Sequence, residues 1–263
     1  MTKKIIALSL ALLMLLALFG CGKKQTGEED GDSVINIGAQ VLTWPASGGG
    51  TYTYEYESST TVRITGYSGK DDLHELVVDG EIAGKTVEKI DAEAFYACSA
   101  ISSLVLPEGL VEIGEYAFAN CEALTSVSFP STLKIIGKGA FYSCDTLSEA
   151  ALKDTALQTV GTNAFADCAA LTAVSFPGTL RTVEDIAFLN CTALESLVLP
   201  EGVTSVGAQA FYNCTGLTAL TLPATLTDIG SWAFNPTARD LSDEAITVPA
   251  GSVAADYLAT FRK

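Results

Sequence analysis

Residues 117–130 read AFANCEALTSVSFP, and most of this stretch occurs in seven copies along the 263-residue chain. Each copy carries an Ala-Phe pair, and successive phenylalanines are 23, 23, 24, 23, 23 and 23 residues apart. The phenylalanines are Phe95, Phe118, Phe141, Phe165, Phe188, Phe211 and Phe234. Cysteine follows three residues after each of the first six, and Thr237 takes its place in the seventh. Repetition at a period of 20–50 residues indicates a solenoid, in which each copy forms one coil and stacks on its neighbours.

Each copy contains a short strand, a second apolar pair and a turn. The alternation of residues 127–129 predicts a half-buried strand, which Pro130 ends because proline cannot donate to a β-ladder. After the strand come two further apolar residues, Leu133 and Ile136. A short helical turn follows and carries Phe141. One copy has too few apolar side chains to fold alone, so we expect the copies to stack with parallel strands.

A glycine recurs four residues before most of the phenylalanines. It is found at Gly114, Gly137, Gly161, Gly207 and Gly230. We expect a positive φ there, because glycine adopts that conformation without steric cost. Asp91 and Glu184 take its place in two copies, which leaves open whether every copy requires it.

The pattern C-x-x-L-x-x-L-x-L-P-x-x-L-x-x-I-G-x-x-A-F resembles the BspA-like, or treponemal, class of leucine-rich repeat. Residues 191–211, CTALESLVLPEGVTSVGAQAF, match it at nearly every position, and the resemblance covers about 85–237. It weakens in the third copy, where Lys153 and Asp154 replace the single proline and predict a small bulge in the turn. The resemblance implies a right-handed α/β solenoid, with a parallel β-sheet on one face and short helices or turns on the other. It also implies a surface-exposed or secreted protein that mediates adhesion to host or neighbouring cells.

The N-terminus has the features of an export signal. Residues 1–20 combine the basic start MTKK with an apolar run of 16 residues, which is short for a bilayer span of about 20 residues. The stretch LFGCGKK resembles a bacterial lipobox, which implies cleavage before Cys21 and attachment of lipid to its thiol. Phe19 departs from the small residue usual at its position, so a plain secretory signal cleaved elsewhere is the alternative.

The sequence divides into five segments. We expect a lipoprotein signal peptide (1–20), a lipid-anchored flexible tether (21–33), a β-rich N-terminal cap (34–84), seven repeats of about 23 residues (85–237) and a C-terminal cap of strand plus helix (238–263). Caps of this kind cover the open ends of a solenoid.

Composition argues against several classes of function. The formal charge of −16 repels phosphate backbones, so we expect no nucleic-acid partner. The sequence has no P-loop, dinucleotide fingerprint or histidine-rich motif, and we expect no enzyme activity, cofactor or metal. Its single histidine, His74, lies in KDDLHELVV and is interpreted as a partly exposed residue of a cap strand.

The recurring cysteines form a predicted column inside the solenoid. Its members are Cys98, Cys121, Cys144, Cys168, Cys191 and Cys214. Side chains in register point the same way, which disfavours disulfide geometry, and a straight column does not converge on zinc. We therefore expect buried, reduced, structural thiols, with some disulfides in an exported chain as the main alternative.

Five aromatic residues flank the phenylalanines, at the position after each Phe or two before it. They are Tyr96, Tyr116, Tyr142, Tyr212 and Trp232. On a short helix they are at least partly exposed, and we expect contact patches for a protein or glycan partner. The alternative is that these rings only shield the edges of neighbouring coils.

Together these features predict a non-catalytic, monomeric cell-surface lipoprotein, anchored in the bacterial envelope through Cys21. We expect its leucine-rich repeats to serve adhesion or binding to a host or neighbouring-cell protein or glycan. A substrate-binding lipoprotein of a transport system is one alternative, although it predicts two lobes around a cleft. A structural envelope spacer is another, because regular repeats also provide rigidity.

Overall fold

The computed structural model describes residues 41–69, 73–239 and 241–260. The predicted signal peptide, the tether with Cys21, and residues 34–40 lie outside the described residues. Within the described residues the chain forms a parallel β-solenoid, and its coils contribute two short strands each. We call these the first and the second strand of a coil, in chain order.

The solenoid begins with an antiparallel sheet. Strands β1 (Leu42–Pro45), β2 (Thr51–Tyr56) and β3 (Thr61–Ser68) pair in sequence, and β3 then pairs parallel with β6 (Lys85–Ile90). Strand β5 (Glu81–Ile82) adds to β6 as an antiparallel partner. The sheet thus changes from antiparallel to parallel at β3, where the coils begin.

The second strands continue this sheet as one unbroken parallel ladder. After β6 they are β8 (Glu112–Ile113), β10 (Ile135–Ile136), β12 (Thr159–Val160), β14 (Thr182–Val183), β16 (Ser205–Val206) and β18 (Asp228–Ile229). The sequence predicts only an apolar pair at these positions. A two-residue strand buries a single side chain, such as Ile113 or Ile136, and so leaves no alternation to recognise.

The first strands form the second wall of the solenoid, in three shorter parallel sheets. They are β4 (Glu75–Val77), β7 (Ser103–Val105), β9 (Ser126–Ser128), β11 (Glu149–Ala151), β13 (Ala173–Ser175), β15 (Ser196–Val198), β17 (Ala219–Thr221) and β19 (Ile246–Thr247). In β9 Val127 is buried while Ser126 and Ser128 are exposed. The strand spans residues 126–128, so it begins and ends one residue earlier than the predicted 127–129.

The extra residue of the third copy is accommodated in a turn. The Thr155 backbone N–H and hydroxyl both donate to the carbonyl oxygen of Leu152, at 3.1 and 2.7 Å. Lys153 and Asp154 are exposed between them. Because β12 still pairs in register with β10 and β14, the insertion does not propagate into the ladder.

The C-terminal end of the solenoid is covered by helix α1 (Val253–Ala259). Its N-cap is Ser252, whose hydroxyl accepts a 3.2 Å hydrogen bond from the Ala255 backbone N–H. Tyr257 meets the last phenylalanine, Phe234, edge to face, with ring centroids 6.2 Å apart. None of the described helices is long and apolar enough to cross a bilayer.

Of the short helices or turns predicted at each phenylalanine, the structure has turns. The Phe118 N–H donates to the carbonyl oxygen of Ala140 in the next coil, at 2.8 Å, and not to a carbonyl one helical turn earlier. The residue two before each Phe has a φ of 50–64°. These residues are Glu93, Tyr116, Gly139, Asn163, Ile186, Gln209 and Trp232. Hydrogen bonding between coils has replaced hydrogen bonding within a helix.

The seven phenylalanines form a continuous column through the core. Neighbouring rings are nearly parallel, at 4–14°, with centroids 4.9–5.6 Å apart. Their side chains are essentially inaccessible to solvent. Each stacked pair adds about 0.5–1.5 kcal/mol beyond the burial of its surface, so the column stabilises every interface between coils.

The recurring glycines serve close approach between coils, and the predicted positive φ is wrong for all five. Only other glycines, including Gly139 and Gly202, have a positive φ. A Cβ at Gly207 would lie 2.4 Å from the Asp185 backbone nitrogen, and one at Gly230 would lie 2.2 Å from the Ala208 backbone nitrogen. Adjacent coils are therefore too close for a side chain at most of these positions.

Candidate binding surface

The cysteine column is bonded to the backbone of the preceding coil. The Cys168 thiol donates to the carbonyl oxygen of Phe141 at 3.2 Å, and the Cys191 thiol donates to that of Phe165 at 3.2 Å. Cys121, Cys144 and Cys214 make the same bond at 3.3–3.4 Å. The Phe141 and Phe165 carbonyl oxygens also accept a backbone N–H of their own coil, so the thiol supplies a second donor in very little space.

Burial makes these thiols poor nucleophiles. Cys121, Cys144, Cys168, Cys191 and Cys214 are free and buried. Cys98 is disulfide-bonded, so the expectation of a reduced thiol is wrong at that position. Burial raises the pKa of Cys121, Cys168 and Cys214 to about 12 and that of the other two well above its ordinary value. Since the thiolate is the reactive form, these five free cysteines serve the fold and not chemistry.

The single histidine takes no part in a metal-binding group among the residues that the structure describes. His74 is exposed just before β4, and its carbonyl oxygen accepts backbone N–H groups of Ser102 and Ser103 at 2.8 and 3.0 Å. The described ranges contain no group of three or more His, Cys, Asp or Glu side chains that could hold a metal ion.

The five predicted aromatic residues lie on the turns that carry the phenylalanines, in two separate clusters. Tyr116 and Tyr142 meet edge to face with ring centroids 6.5 Å apart, at one end of the row of turns. Tyr96, in the same part of the solenoid, accepts a 2.6 Å hydrogen bond from the Asn120 side-chain amide. All three tyrosines are half-buried.

A lysine of the chain itself covers part of this first cluster. The Lys138 Nζ lies 5.4 Å from the centroid of the Tyr116 ring and 2.8 Å from a carboxylate oxygen of Glu115. Gly139 makes room for the ring, because a Cβ there would lie 2.2 Å from it. The first cluster therefore already has an internal partner.

The second cluster is more open. The rings of Tyr212 and Trp232 stack with centroids 6.0 Å apart and planes at 25°, and Trp232 is 57% exposed. We call this pair the docking platform. Large exposed aromatic side chains provide much of the binding energy at protein interfaces. The docking platform is therefore the strongest candidate contact among the five predicted residues.

A shallow groove of about 450 Å³ crosses β14, β16 and β18 beside the same turns. We call it the acidic groove, because its lining includes Glu184, Asp185 and Asp228 and neither lysine nor arginine. Hydroxyl groups of Thr162, Thr182 and Ser205 complete its polar lining.

The carboxylates of the acidic groove are held in position by their own chain. Glu184 accepts both the backbone N–H and the hydroxyl of Thr162, each at 2.9 Å. Asp185 accepts the Ala208 backbone N–H at 2.6 Å, and Asp228 accepts the Ser205 hydroxyl at 3.0 Å. The groove is thus preorganised to meet positive charge or hydrogen-bond donors.

The acidic groove was not predicted from the sequence. Residues that are neighbours in the groove are about 23 positions apart in the sequence. Ser205 and Asp228, for example, pair between neighbouring strands. A signal was present in Glu184, which replaces a recurring glycine. It is recognisable only once the coils are stacked in register.

Comparison with known proteins agrees with this architecture. The family model described as "BspA type Leucine rich repeat region" matches residues 81–195 and 181–250, with six copies. A leucine-rich repeat protein of T. pallidum is similar at 25% identity and a TM-score of 0.46, over 68% of this chain and 78% of that chain. A leucine-rich cell surface protein of Faecalibacterium prausnitzii A2-165 is 20% identical with a TM-score of 0.52, over 71% of this chain and 55% of that chain. No curated protein matches the sequence.

Proposed function

We propose that this chain, which belongs to the BspA-type leucine-rich repeat family, is an exported lipoprotein. Its solenoid binds a partner and catalyses no reaction. The partner is a protein or glycan on a host or neighbouring cell. The observation that carries the proposal is the stacked pair of Tyr212 and Trp232, since an indole 57% exposed is available for contact.

The N-terminal sequence supports export and anchoring. A basic start, an apolar run and the lipobox-like LFGC lead to Cys21, and the lipid attached there holds the solenoid at the bacterial surface. The acidic charge of −16 opposes simple electrostatic docking on anionic lipid, so the attachment depends on the acyl chains. We further propose a monomer that binds no nucleic acid.

Anchoring is tested by expressing the full chain and its Cys21→Ser variant in a bacterial host fed with labelled palmitate. The expected result is label and membrane fractionation for the wild type, and loss of both for the variant. Recovery of Cys21 in a disulfide, or equal fractionation of the two chains, overturns the anchor.

Binding is tested with the mature chain (21–263) displayed on beads against matrix glycoproteins, mucins and bacterial envelope fractions. The matched control carries alanine at Tyr96, Tyr116, Tyr142, Tyr212 and Trp232. Saturable binding that the control loses is the expected result. Binding by neither protein overturns the proposal and favours a structural spacer of the envelope.

A further inference from the structure

One aromatic ring on the turns that carry the phenylalanines is covered by a cation of the same chain. Lys138 lies over the Tyr116 ring, and Glu115 holds the ammonium group by an ion pair. A cation over a ring face is attracted by the negative charge of the π-system. This arrangement unites three features: a ring two residues before a phenylalanine, a cation supplied by the following coil, and a nearby carboxylate.

Trp232 has the first of these features and lacks the second. It stands two residues before Phe234, as Tyr116 stands two before Phe118, and both have a left-handed φ. Phe234 is the last phenylalanine of the column, so no further repeat supplies a lysine. Among the described residues no lysine or arginine lies over the indole. The ring that binds cations best is the one left open.

The third feature, negative charge, is supplied by the acidic groove. Its lining runs from Thr162 across Asp185 and Ala208 to Gly230, which is two residues before Trp232. The groove crosses three strands, or about 10 Å at ~4.8 Å per strand, which matches about three residues of extended peptide. A chain with positive charges at that spacing is complementary to it.

We infer that the docking platform binds a lysine or arginine side chain of a cationic, extended segment of a partner protein. The neighbouring positive charges of that segment lie along Glu184, Asp185 and Asp228. This inference rests on the proposed function and specifies its partner class. Arginine fits best, because its planar guanidinium stacks on aromatic faces and also pairs with carboxylates.

The test uses an acetylated and amidated hexapeptide of alternating arginine and glycine, titrated into the mature chain. The matched peptide replaces arginine with citrulline, which has nearly the same shape and no charge. A Trp44→Phe background leaves Trp232 as the single tryptophan, so its fluorescence reports occupancy directly. Isothermal titration calorimetry measures the affinity of every variant, because Trp232→Asn removes this fluorophore.

The informative variant is Trp232→Asn, because asparagine tolerates the left-handed conformation and the turn is retained. Ile186→Asn is its matched control, since Ile186 has a φ of 50° at the same position of another coil and contributes no aromatic ring. The double variant Asp185→Asn/Asp228→Asn removes two charges while it keeps the accepting oxygens.

We expect the arginine peptide to change Trp232 fluorescence and the citrulline peptide to have no effect. Trp232→Asn should weaken binding about two- to fivefold, as expected for an exposed cation–π contact. The double variant should weaken binding and reduce its dependence on salt, because fewer charges are neutralised. Ile186→Asn should bind as the wild type does.

Equal binding of both peptides, or unchanged affinity in Trp232→Asn, overturns the inference. So does a neutral oligosaccharide that binds through Trp232 independently of the two aspartates, which assigns the platform to sugars. In either case the proposed function stands if the bead assay finds a partner. Failure of the wild type in the bead assay overturns the proposed function itself, whatever the peptides do.

Discussion

The Thr237 hydroxyl donates a 2.9 Å hydrogen bond to the carbonyl oxygen of Phe211, and so performs in the seventh copy what a thiol performs in the five before it. One coil earlier, the Cys214 Sγ lies 3.3 Å from the carbonyl oxygen of Phe188. The exchange of sulfur for oxygen keeps the donor and changes little else. Hydrogen bonding to the preceding coil therefore explains the five free cysteines of the column.

The first prediction concerns this donor. Cys168→Ala removes one of two donors to the Phe141 carbonyl oxygen, which accepts the thiol at 3.2 Å and the Cys144 backbone N–H at 3.3 Å. We expect the free energy of unfolding to fall by about 0.5–1.5 kcal/mol, the usual value of one hydrogen bond, and Cys168→Ser to lose less because serine keeps a donor. Urea unfolding of the three proteins measures both effects. Equal losses in the two variants would show that the hydrogen bond is unimportant.

The second prediction is a loss of stability in base. Burial raises the pKa of the Cys168 thiol from 9.0 to about 12, so the unfolded chain loses this proton more readily than the folded one. The thiol's stabilising contribution is complete below pH 9 and is lost as the pH rises from 9 to 12. At pH 10 the loss amounts to at most about 1.4 kcal/mol per thiol. Unfolding at pH 8 and pH 10 measures it, and Cys168→Ser should lose less than the wild type. Parallel losses contradict the assignment.

The third prediction concerns the left-handed turns. Ile186 is β-branched and has a φ of 50°, a conformation that asparagine adopts far more easily. We expect Ile186→Asn to raise the free energy of unfolding by about 1 kcal/mol, because it removes backbone strain. Ile135→Asn is the control, since Ile135 is 41% exposed in a β-strand and has no such strain. Destabilisation by Ile186→Asn would mean that its packing outweighs the strain.

The fourth prediction contrasts two glycines with different surroundings, the recurring Gly207 and Gly178, which follows Pro177. A Cβ at Gly207 meets the Asp185 backbone nitrogen at 2.4 Å, whereas a Cβ at Gly178 has no atom within 4 Å. We expect Gly207→Ala to destabilise the fold by about 1–3 kcal/mol, through overpacking between coils. Gly178→Ala should be neutral or slightly stabilising. Thermal unfolding of both variants is the measurement, and similar melting temperatures would refute the close-approach explanation.

Much of the fold can be predicted because a regular repeat indicates stacked coils of equal length. The 23-residue period predicts the stacked coils, and the structure places a helix in the C-terminal cap, where the sequence predicts a strand followed by a helix. The resemblance to BspA-like repeats is confirmed by the matching family model.

The left-handed turns were not predictable from local sequence. Tyr116, Ile186 and Trp232 are residues that rarely adopt a positive φ, and nothing in their neighbourhood indicates one. The conformation is imposed by hydrogen bonds between coils, such as the one from the Tyr116 N–H to the Lys138 carbonyl oxygen at 2.8 Å. Tertiary pairing has overridden local preference. The five aromatic residues stay a prediction from their spacing, and their division into a covered and an open cluster depends on which coil follows them.

The turn from Leu152 to Thr155 is where we expect this protein to accept inserted sequence. It already contains one residue more than its counterparts, and its tip at Lys153 and Asp154 faces solvent. Lengthening a loop adds little closure entropy, about 0.6 kcal/mol per doubling. An epitope or reporter peptide grafted between these two residues would be presented outside the wall, with Thr159 and Val160 still aligned to their neighbours. The solenoid thereby provides a display scaffold in which the inserted peptide can change while the core stays the same.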